Sequence, residues 1–201
     1  MNMAVFFQKY GTKSAVSLVR SVYFKLFVRT NRAKINYLRQ AGAKIGKGCV
    51  IHSTEVFGTE PYLVEVGDNT YFSGANSKIY THDGGIPKCF HMGIAPKRYD
   101  CFGKVKIGSN CFIGAGCTIL KHVTIGDNCV IGAGSVVSKS IPSGSVAAGV
   151  PAKVICTVEE YYERNKDYLD DTVGWNMYKK REYIESNMEK YEQIRKQRER
   201  K

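Results

Sequence analysis

The chain lacks the features that mark several common classes of protein. No stretch approaches the roughly 20 apolar residues of a membrane-spanning helix. Lys9, Lys13 and Arg20 interrupt the apolar N-terminus, so we predict no signal peptide. The sequence has neither a P-loop nor a Rossmann fingerprint, and it has no Cys-x-x-Cys pair that would indicate a structural zinc site. The seven cysteines are an odd number, and without a secretion signal they favour free thiols in a reducing cytoplasm.

Acidic residues are missing from the first 48 positions, which carry ten Lys or Arg. Basic and acidic residues nearly balance in the rest of the chain, so this segment holds almost all of the net charge of +12. Residues 1–40 place apolar side chains at loosely helical spacing among the bases, which predicts a basic amphipathic helix. Two compatible roles remain open for it: a cap on the core, or contact with an anionic membrane surface. Beyond this segment, nothing indicates nucleic-acid binding.

The sequence is rich in a six-residue repeat. This period fits neither a helix nor a straight strand, but it fits short strands joined by corners, with a branched side chain pointing inward. Three hexads form one triangular coil, so residues eighteen apart are expected to stack in parallel strands about 4.8 Å apart. The predicted fold class is an all-β solenoid with helical appendages. The repeated apolar positions, most of them followed by glycine, are Ile107, Ile113, Ile119, Ile125, Ile131 and Val137.

The fifth position of most hexads holds a small residue, and four of the cysteines occupy it. A small residue fits the tapering interior of a coil, so these cysteines are interpreted as buried apolar residues. Cys111 and Cys129 are expected to stack and yet stay reduced. Neighbouring strands hold Cβ atoms about 4.8 Å apart, which is wider than the roughly 3.8 Å of a disulfide. The position is occupied by Cys49, Thr70, Cys111, Cys117, Val123, Cys129 and Ser135.

Two interruptions divide the repeat. Glu55 fits its hexad poorly, and residues 59–65 shift the register. Residues 84–104 then separate two coils, and a loop of this length inside a compact domain is usually functional. We therefore predict a β-helix over residues 41–156 with a functional loop insertion at 84–104.

Residues 157–201 carry no repeat and are predicted to form a helical extension. Thr157 and Glu160 have the spacing of a capping box that opens a helix. Dense mixed charge from about Asn176 to Lys201 predicts a solvated helix with a narrow apolar stripe. Such a stripe needs a partner, for which a neighbouring subunit is one candidate.

Two segments make the chain resemble a known family. Residues 113–155 (IGAGCTILKHVTIGDNCVIGAGSVVSKSIPSGSVAAGVPAKVI) end in the GVPAKVI typical of hexapeptide acetyltransferases. Residues 80–85 (YTHDGG) resemble the active-site strand of sugar and capsular-polysaccharide O-acetyltransferases. Residues 41–156 are thus similar to the left-handed β-helix acyltransferases of the hexapeptide-repeat superfamily. The resemblance implies a left-handed sense, which the period alone does not determine. It also implies acetyl-CoA as co-substrate and a cytoplasmic homotrimer with sites between subunits.

His82 is the candidate general base. It ends a coil strand directly before the long loop, and histidine is the usual base because its charge changes near working pH. The resemblance implies that it deprotonates the acceptor hydroxyl, which then attacks acetyl-CoA directly. Asp83 is a candidate to orient the imidazole, although strand neighbours point to opposite faces and Asp83 equally fits a role in shaping the turn. Glu65, about one coil earlier, is another candidate.

Asn76 and His91 are the candidate acceptor-binding residues. Some relatives place an asparagine around where this chain reads YFS at residues 71–73, and here that contact is either absent or supplied by Asn76. His91 lies in the loop and either touches the acceptor or is an ordinary loop residue. His122 and His52 are interpreted as corner residues.

The resemblance further implies that five residues of the late coils hold acetyl-CoA. Backbone groups at two of them flank the pantetheine arm, a Ser-Lys pair lies near the coenzyme, and a lysine in the GVPAK turn meets a phosphate as a point charge. In that order they are Ala115, Ala133, Ser138, Lys139 and Lys153.

The leading hypothesis is an acetyl-CoA-dependent O-acetyltransferase that acts on a sugar hydroxyl of a surface polysaccharide or its precursor. An N-acetyltransferase of an amino sugar, or another small-molecule acetyltransferase, is an alternative on the same fold. A non-catalytic β-helix scaffold is a third. A zinc hydratase of the γ-carbonic anhydrase type needs three histidines on adjacent coil faces, and the region of His82 lacks that spacing, so no metal is expected. The expected location is the cytoplasm, with residues 1–40 able to contact the inner face of the cell membrane.

Overall fold

The computed structural model describes Val19, Val22 and Tyr23, residues 27–74 and residues 76–199, without the side chain of Arg198. The chain divides into two compact units, Met1–Glu159 and Glu160–Lys201, and each is described by itself. Most of the predicted N-terminal helix lies outside the described residues, and so does the prediction of membrane contact. No helix within the described segments is long and apolar enough to cross a membrane.

Short parallel strands and their corners build the first unit. Most strands are two residues long, because a hexad leaves room for one outward and one inward side chain between corners. Helix α1 (Asn31–Gln40) precedes the strands, and helix α2 (Lys88–His91) and the 3₁₀ segments Thr54–Phe57 and Pro61–Leu63 lie between strands. The strands are β1 (Lys44–Ile45), β2 (Val50–Ile51), β3 (Val64–Val66), β4 (Tyr71–Phe72), β5 (Lys78–Ile79), β6 (Val105–Ile107), β7 (Phe112–Ile113), β8 (Thr118–Ile119), β9 (Thr124–Ile125), β10 (Val130–Ile131), β11 (Val136–Val137), β12 (Ser145–Gly149) and β13 (Ala152–Thr157).

Three sheets each take one strand from successive coils, as the repeat predicts. Their orders are β1-β3-β6-β9, β2-β4-β7-β10-β12-β13 and β5-β8-β11. Only β12 and β13 pair antiparallel among these described strands. Ile107 pairs with Ile125, and Ile113 pairs with Ile131, so the predicted eighteen-residue stacking is confirmed. These four side chains are at most 1% exposed and form the centre of the core.

The early coils are longer than eighteen residues. Lys44 of β1 pairs with Glu65 of β3, 21 residues later, because the two 3₁₀ segments add three residues to this coil. Glu65 in turn pairs with Lys106, because the segment 84–104 intervenes. Both predicted interruptions are therefore present. Because of the first one, residues that pair across this coil are 21 positions apart in the sequence instead of eighteen.

One corner of each coil repeats the same polar design. Asn69, Asn110 and Asn128 have left-handed backbone, with φ between 54° and 56°, which asparagine tolerates better than most residues. Their side chains form a ladder in which Asn69 donates to Asn110 over 3.3 Å and Asn110 donates to Asn128 over 3.1 Å. The backbone N–H of Ser109 donates to Oδ1 of Asp127 in the next coil, over 2.7 Å. Side chains thus satisfy corner groups that the strands leave unpaired.

The small interior position of most hexads supplies a hydrogen-bond donor. The Cys111 thiol donates to the carbonyl of Gly126 over 3.1 Å, and the Cys129 thiol donates to that of Pro142 over 3.2 Å. The Thr70 hydroxyl donates in the same way one coil earlier. All seven cysteines are free thiols, as predicted for Cys111 and Cys129. Burial raises the pKa of the Cys111 thiol to about 11, so it remains a neutral donor.

Helix α1 covers the first coil. Leu38 is buried at 1% exposure, and the Asn31 side chain donates to the Cys49 carbonyl and accepts from the Ile51 N–H, both over 2.8 Å. Arg39 donates to two backbone carbonyls of the first coil. The described part of residues 1–40 therefore packs on the β-helix as a cap does.

A helical extension forms the second unit. Helix α3 (Val158–Glu163) begins directly after Thr157, and α4 (Met177–Ser186) and α5 (Met188–Glu199) follow. The prediction of one continuous helix from Asn176 is wrong, because the chain breaks at Asn187, whose amide instead donates to the Tyr183 carbonyl over 2.8 Å. Asp170 accepts from the hydroxyls of Tyr183 and Tyr191, both over 3.0 Å. Tyr183 and Tyr191 belong to the predicted apolar stripe, so Asp170 of the same unit contacts part of that stripe through their hydroxyls.

Candidate active site

The backbone of His82 is fixed where the long loop leaves and re-enters the coil. His82 forms an antiparallel bridge with Phe102, and the N–H of Gly103 donates to the carbonyl of Thr81 over 2.7 Å. Thr81 is buried at 1% exposure, whereas the His82 side chain is 43% exposed. Strand alternation therefore anchors Thr81 in the core and presents the imidazole outward.

His82 faces a glutamate from the preceding coil. Its Nδ1 lies 2.9 Å from Oε2 of Glu60. The same oxygen accepts from the Thr81 hydroxyl over 2.6 Å, and Oε1 accepts from the Thr59 hydroxyl over 2.6 Å. The Glu60 side chain is only 14% exposed. Three donors thus hold the carboxyl group in one orientation against the imidazole.

The Glu60 carboxyl determines which nitrogen of His82 carries the proton. Burial by itself raises the pKa of Glu60, but hydrogen bonds from Thr59, Thr81 and His82 outweigh it and hold the pKa below its ordinary value. The group is therefore ionised near neutral pH, and a carboxylate can only accept hydrogen bonds. Nδ1 must donate to it, which leaves Nε2 of His82 with a free lone pair.

Asp83 does not face His82. Its Oδ1 accepts from the N–H of Gly85 over 2.8 Å, and its Oδ2 lies 3.2 Å from Nζ of Lys121. These contacts hold the pKa of the Asp83 carboxyl below its ordinary value, with the Gly85 hydrogen bond as the largest cause. Of the two roles open to Asp83, the geometry favours shaping the turn into the loop.

Glu65 also lies away from the imidazole, because it pairs with Lys44 over 2.8 Å. Counting back one coil of about eighteen residues from His82 points toward Glu65, but this coil has 21 residues. Glu60, which the sequence analysis missed, therefore occupies the neighbouring position. The register shift at residues 59–65 was the signal that could have found it.

A cleft of about 260 Å³ opens beside His82. Its lining includes the acidic residues Glu55 and Glu60 together with Lys78, Tyr80 and His82. Nζ of Lys78 lies 3.6 Å from a Glu55 oxygen. The volume is near the lower end of small-molecule sites, roughly 300 Å³, so the cleft suits one sugar-sized group.

The two predicted acceptor-binding residues lie at the surface. His91 ends α2, and its ring stands 5.5 Å from that of Phe90. Asn76 is exposed in the corner before β5. The contacts of the described residues join neither of them to His82, so their roles remain predictions.

Ala115 and Ala133 stack on one corner of the late coils. The N–H of Gly134 donates to the Ala115 carbonyl over 2.8 Å, and both alanines are exposed. Backbone groups at this corner can therefore be reached from outside, as contact with an extended pantetheine arm requires.

The other predicted coenzyme residues are also exposed. Ser138 and Lys139 directly follow β11, and Lys153 pairs with Ala148 in the β12–β13 hairpin. Both lysines present their charges to solvent. No cluster of three His, Cys, Asp or Glu side chains suited to a metal ion occurs among the described residues.

The sequence has relatives that share this repeat. Residues 104–139 match the family model described as bacterial transferase hexapeptide (six repeats). Protein CapG of Staphylococcus aureus is 38% identical over 168 residues, which cover 80% of this chain and 93% of that protein.

Solved structures have a similar fold. A maltose O-acetyltransferase from Clostridium difficile 630 is 26% identical, with a TM-score of 0.50 over 79% of this chain and 89% of that one. A galactoside acetyltransferase in complex with coenzyme A is 22% identical, with a TM-score of 0.50 over 85% and 97% of the two chains, and at this identity it supports the fold alone. The chain belongs to the hexapeptide-repeat family of bacterial transferases, and it is an acetyltransferase.

Proposed function

We propose that the protein transfers the acetyl group of acetyl-CoA directly to a hydroxyl of a sugar in a surface polysaccharide or its precursor. The observation that carries this proposal is the Glu60–His82 pair at the wall of an open cleft. A neutral imidazole held at Nδ1 presents Nε2 as the base that hydroxyl acylation needs. Support for a sugar acceptor comes from the YTHDGG segment around His82 and from the likeness to a maltose O-acetyltransferase.

The proposed reaction needs a single transfer step. The acceptor oxygen attacks the thioester carbonyl carbon while Nε2 of His82 takes its proton. The new C–O bond forms, the C–S bond breaks, and the departing thiolate recovers a proton from the imidazolium to become the free thiol. Glu60 stabilises the imidazolium, because the positive charge develops 2.9 Å from its oxygen. Glu60 is thus a positioning residue, and His82 is the catalytic base.

Acetyl-CoA is the co-substrate, and the late coils supply its binding residues. Ala115 and Ala133 offer backbone groups at one corner, and Lys139 and Lys153 offer positive charges for phosphates. His82 lies on an earlier coil than all of these, so we propose that the site is completed between neighbouring subunits of a homotrimer. We also assign to the coils the left-handed sense of the family.

The test is product analysis by mass spectrometry after incubation with acetyl-CoA and a panel of sugars and amino sugars. This readout avoids thiol reagents, which would react with the protein's own cysteines. An alkali-labile acetyl ester that forms with the wild type and not with His82→Ala supports the proposal. An alkali-stable amide on an amino sugar would establish the N-acetyltransferase alternative instead. Failure to acetylate any acceptor above the His82→Ala level would contradict both.

A further inference from the structure

A second cleft is lined by Phe102, the residue whose backbone bridges to His82. The ring of Phe102 stands 6.2 Å from the ring of His82, so the second cleft begins one residue away from the candidate base. The second cleft measures about 520 Å³ and is lined by Leu63, Phe102, Gly103, Lys104, His122 and Thr124.

The lining of the second cleft contains basic groups and no carboxylate. Within the described part of the chain, no hydrogen bond or ion pair engages the side chain of Lys104 or His122. Glu65 is the acidic group on this face, and it pairs with Lys44 over 2.8 Å. The pKa of Glu65 is held below its ordinary value mainly by Lys44, and also by the charges of Lys104 and Lys106. Lys44, Lys104 and Lys106 thus surround the single carboxylate of Glu65. The net charge of this group is positive, so the face attracts anions.

The position of His122 is tightly determined. Its backbone is left-handed, with φ of 67°, where three other coil corners use asparagine. Its N–H donates to the carbonyl of Lys104 over 2.9 Å. Its ring lies directly on Gly103, where an added Cβ would come within 2.5 Å of the imidazole. Lys104 and His122 are therefore neighbours whose backbones are joined, and the imidazole of His122 lies in the space left by the missing side chain of Gly103.

We propose that Lys104 and His122 form a phosphate-binding subsite, which holds a phosphate or diphosphate group of the acceptor while its hydroxyl lies at His82. Lysine binds phosphate as a point charge, and the imidazole and the Thr124 hydroxyl add hydrogen-bond donors. The inference rests on the proposed function, since it takes His82 as the place of transfer. The subsite would make the acceptor a sugar that carries a phosphate or diphosphate group. Such an acceptor is a precursor of the polysaccharide, and a finished neutral polysaccharide would not use the subsite.

The test is calorimetric titration of the full-length protein with inorganic pyrophosphate in a phosphate-free buffer of low salt. We expect Lys104→Gln to raise the dissociation constant for pyrophosphate about 10-fold, as the loss of a charged contact does. We expect His122→Asn to raise it several-fold. Asparagine suits this corner because it adopts the same backbone at Asn69, Asn110 and Asn128. Lys106→Gln is the matched control, because Lys106 is exposed on the same face and does not line the cleft; its charge acts only from a longer distance, so we expect it to weaken binding much less than Lys104→Gln does.

A second arm separates the two sources of phosphate. If the subsite serves the acceptor, saturating coenzyme A leaves pyrophosphate binding in place, and Lys104→Gln binds coenzyme A as the wild type does. Displacement by coenzyme A, or weaker coenzyme binding in Lys104→Gln, would assign the phosphate to the coenzyme and overturn the proposal. Equal pyrophosphate binding in all variants, or no binding by the wild type at millimolar concentration, would also overturn it.

The titration does not depend on catalysis. His82→Ala should bind pyrophosphate like the wild type, because His82 does not line the second cleft. A protein that binds pyrophosphate through Lys104 but transfers no acetyl group would refute the proposed function alone.

Discussion

Replacing Glu60 by glutamine removes the charge next to His82 and keeps the shape of the side chain. In the proposed transition state His82 becomes cationic, with its Nδ1 2.9 Å from the Glu60 oxygen. Two unit charges about 4 Å apart attract by about 1 kcal/mol in water and about 4 kcal/mol at an effective dielectric constant of about 20. The His82 side chain is 43% exposed and that of Glu60 is 14% exposed, so a value of about 2 kcal/mol is appropriate. This corresponds to a loss of about 30-fold in kcat.

The assay is steady-state acetyl transfer to a sugar acceptor. We expect Glu60→Gln to lower kcat about 30-fold and to leave KM for acetyl-CoA unchanged, because the proposed coenzyme contacts lie on the late coils. Glu65→Gln is the control, because that carboxylate pairs with Lys44. Wild-type kcat in a folded Glu60→Gln protein would refute the positioning role.

Three further predictions follow from the coils. Lys139→Ala should raise KM for acetyl-CoA about tenfold with little change in kcat, and the opposite pattern in steady-state kinetics would show that Lys139 does not bind the coenzyme. Cys111→Ala removes the donor to Gly126 and should lower the free energy of unfolding by about 1–2 kcal/mol in a denaturant titration. Cys111→Ser keeps a donor and should lose less, so equal losses would argue against the hydrogen bond. Light scattering should give a homotrimer, and a stable monomer at micromolar concentration would contradict the shared site.

The six-residue repeat was enough to predict which side chains form the core, because the pattern can be read within a few neighbouring residues. Each inward side chain is set by its own hexad, and stacking at eighteen residues follows wherever three hexads close a coil. Ile107 and Ile125 illustrate this, since they pair in register and are at most 1% exposed. The same reasoning located the loop after His82, because the loop begins where the repeat stops, whereas His82 itself was chosen on the resemblance of residues 80–85 to a family motif.

Glu60 could not be found by counting, because its position depends on how the irregular coil folds. The 3₁₀ segments Thr54–Phe57 and Pro61–Leu63 add three residues to that coil. A count of eighteen back from His82 reaches Val64, whereas Glu60 contacts His82 from 22 residues earlier and Glu65 pairs with Lys44. Partners between coils are predictable only where the coil length is regular.

The interior cysteines show a different limit. Sequence patterning predicts that Cys111 and Cys129 are small and buried, and both are. It does not predict that each thiol donates to a carbonyl of the following coil, because that depends on which backbone groups the corner leaves without a partner. The break at Asn187 is similar, since it follows from one side chain that competes with the helix for the Tyr183 carbonyl.

The most direct measurement of the central claim is the turnover of His82→Ala with acetyl-CoA and an acceptor that the wild type acetylates, together with the affinity for coenzyme A. If Nε2 of His82 is the base, kcat falls by about 10²–10⁴-fold, while the dissociation constant for coenzyme A stays within about twofold, because the proposed coenzyme contacts lie on later coils. Near-normal turnover in a folded His82→Ala protein would contradict the account, and His91 would become the next candidate for the base.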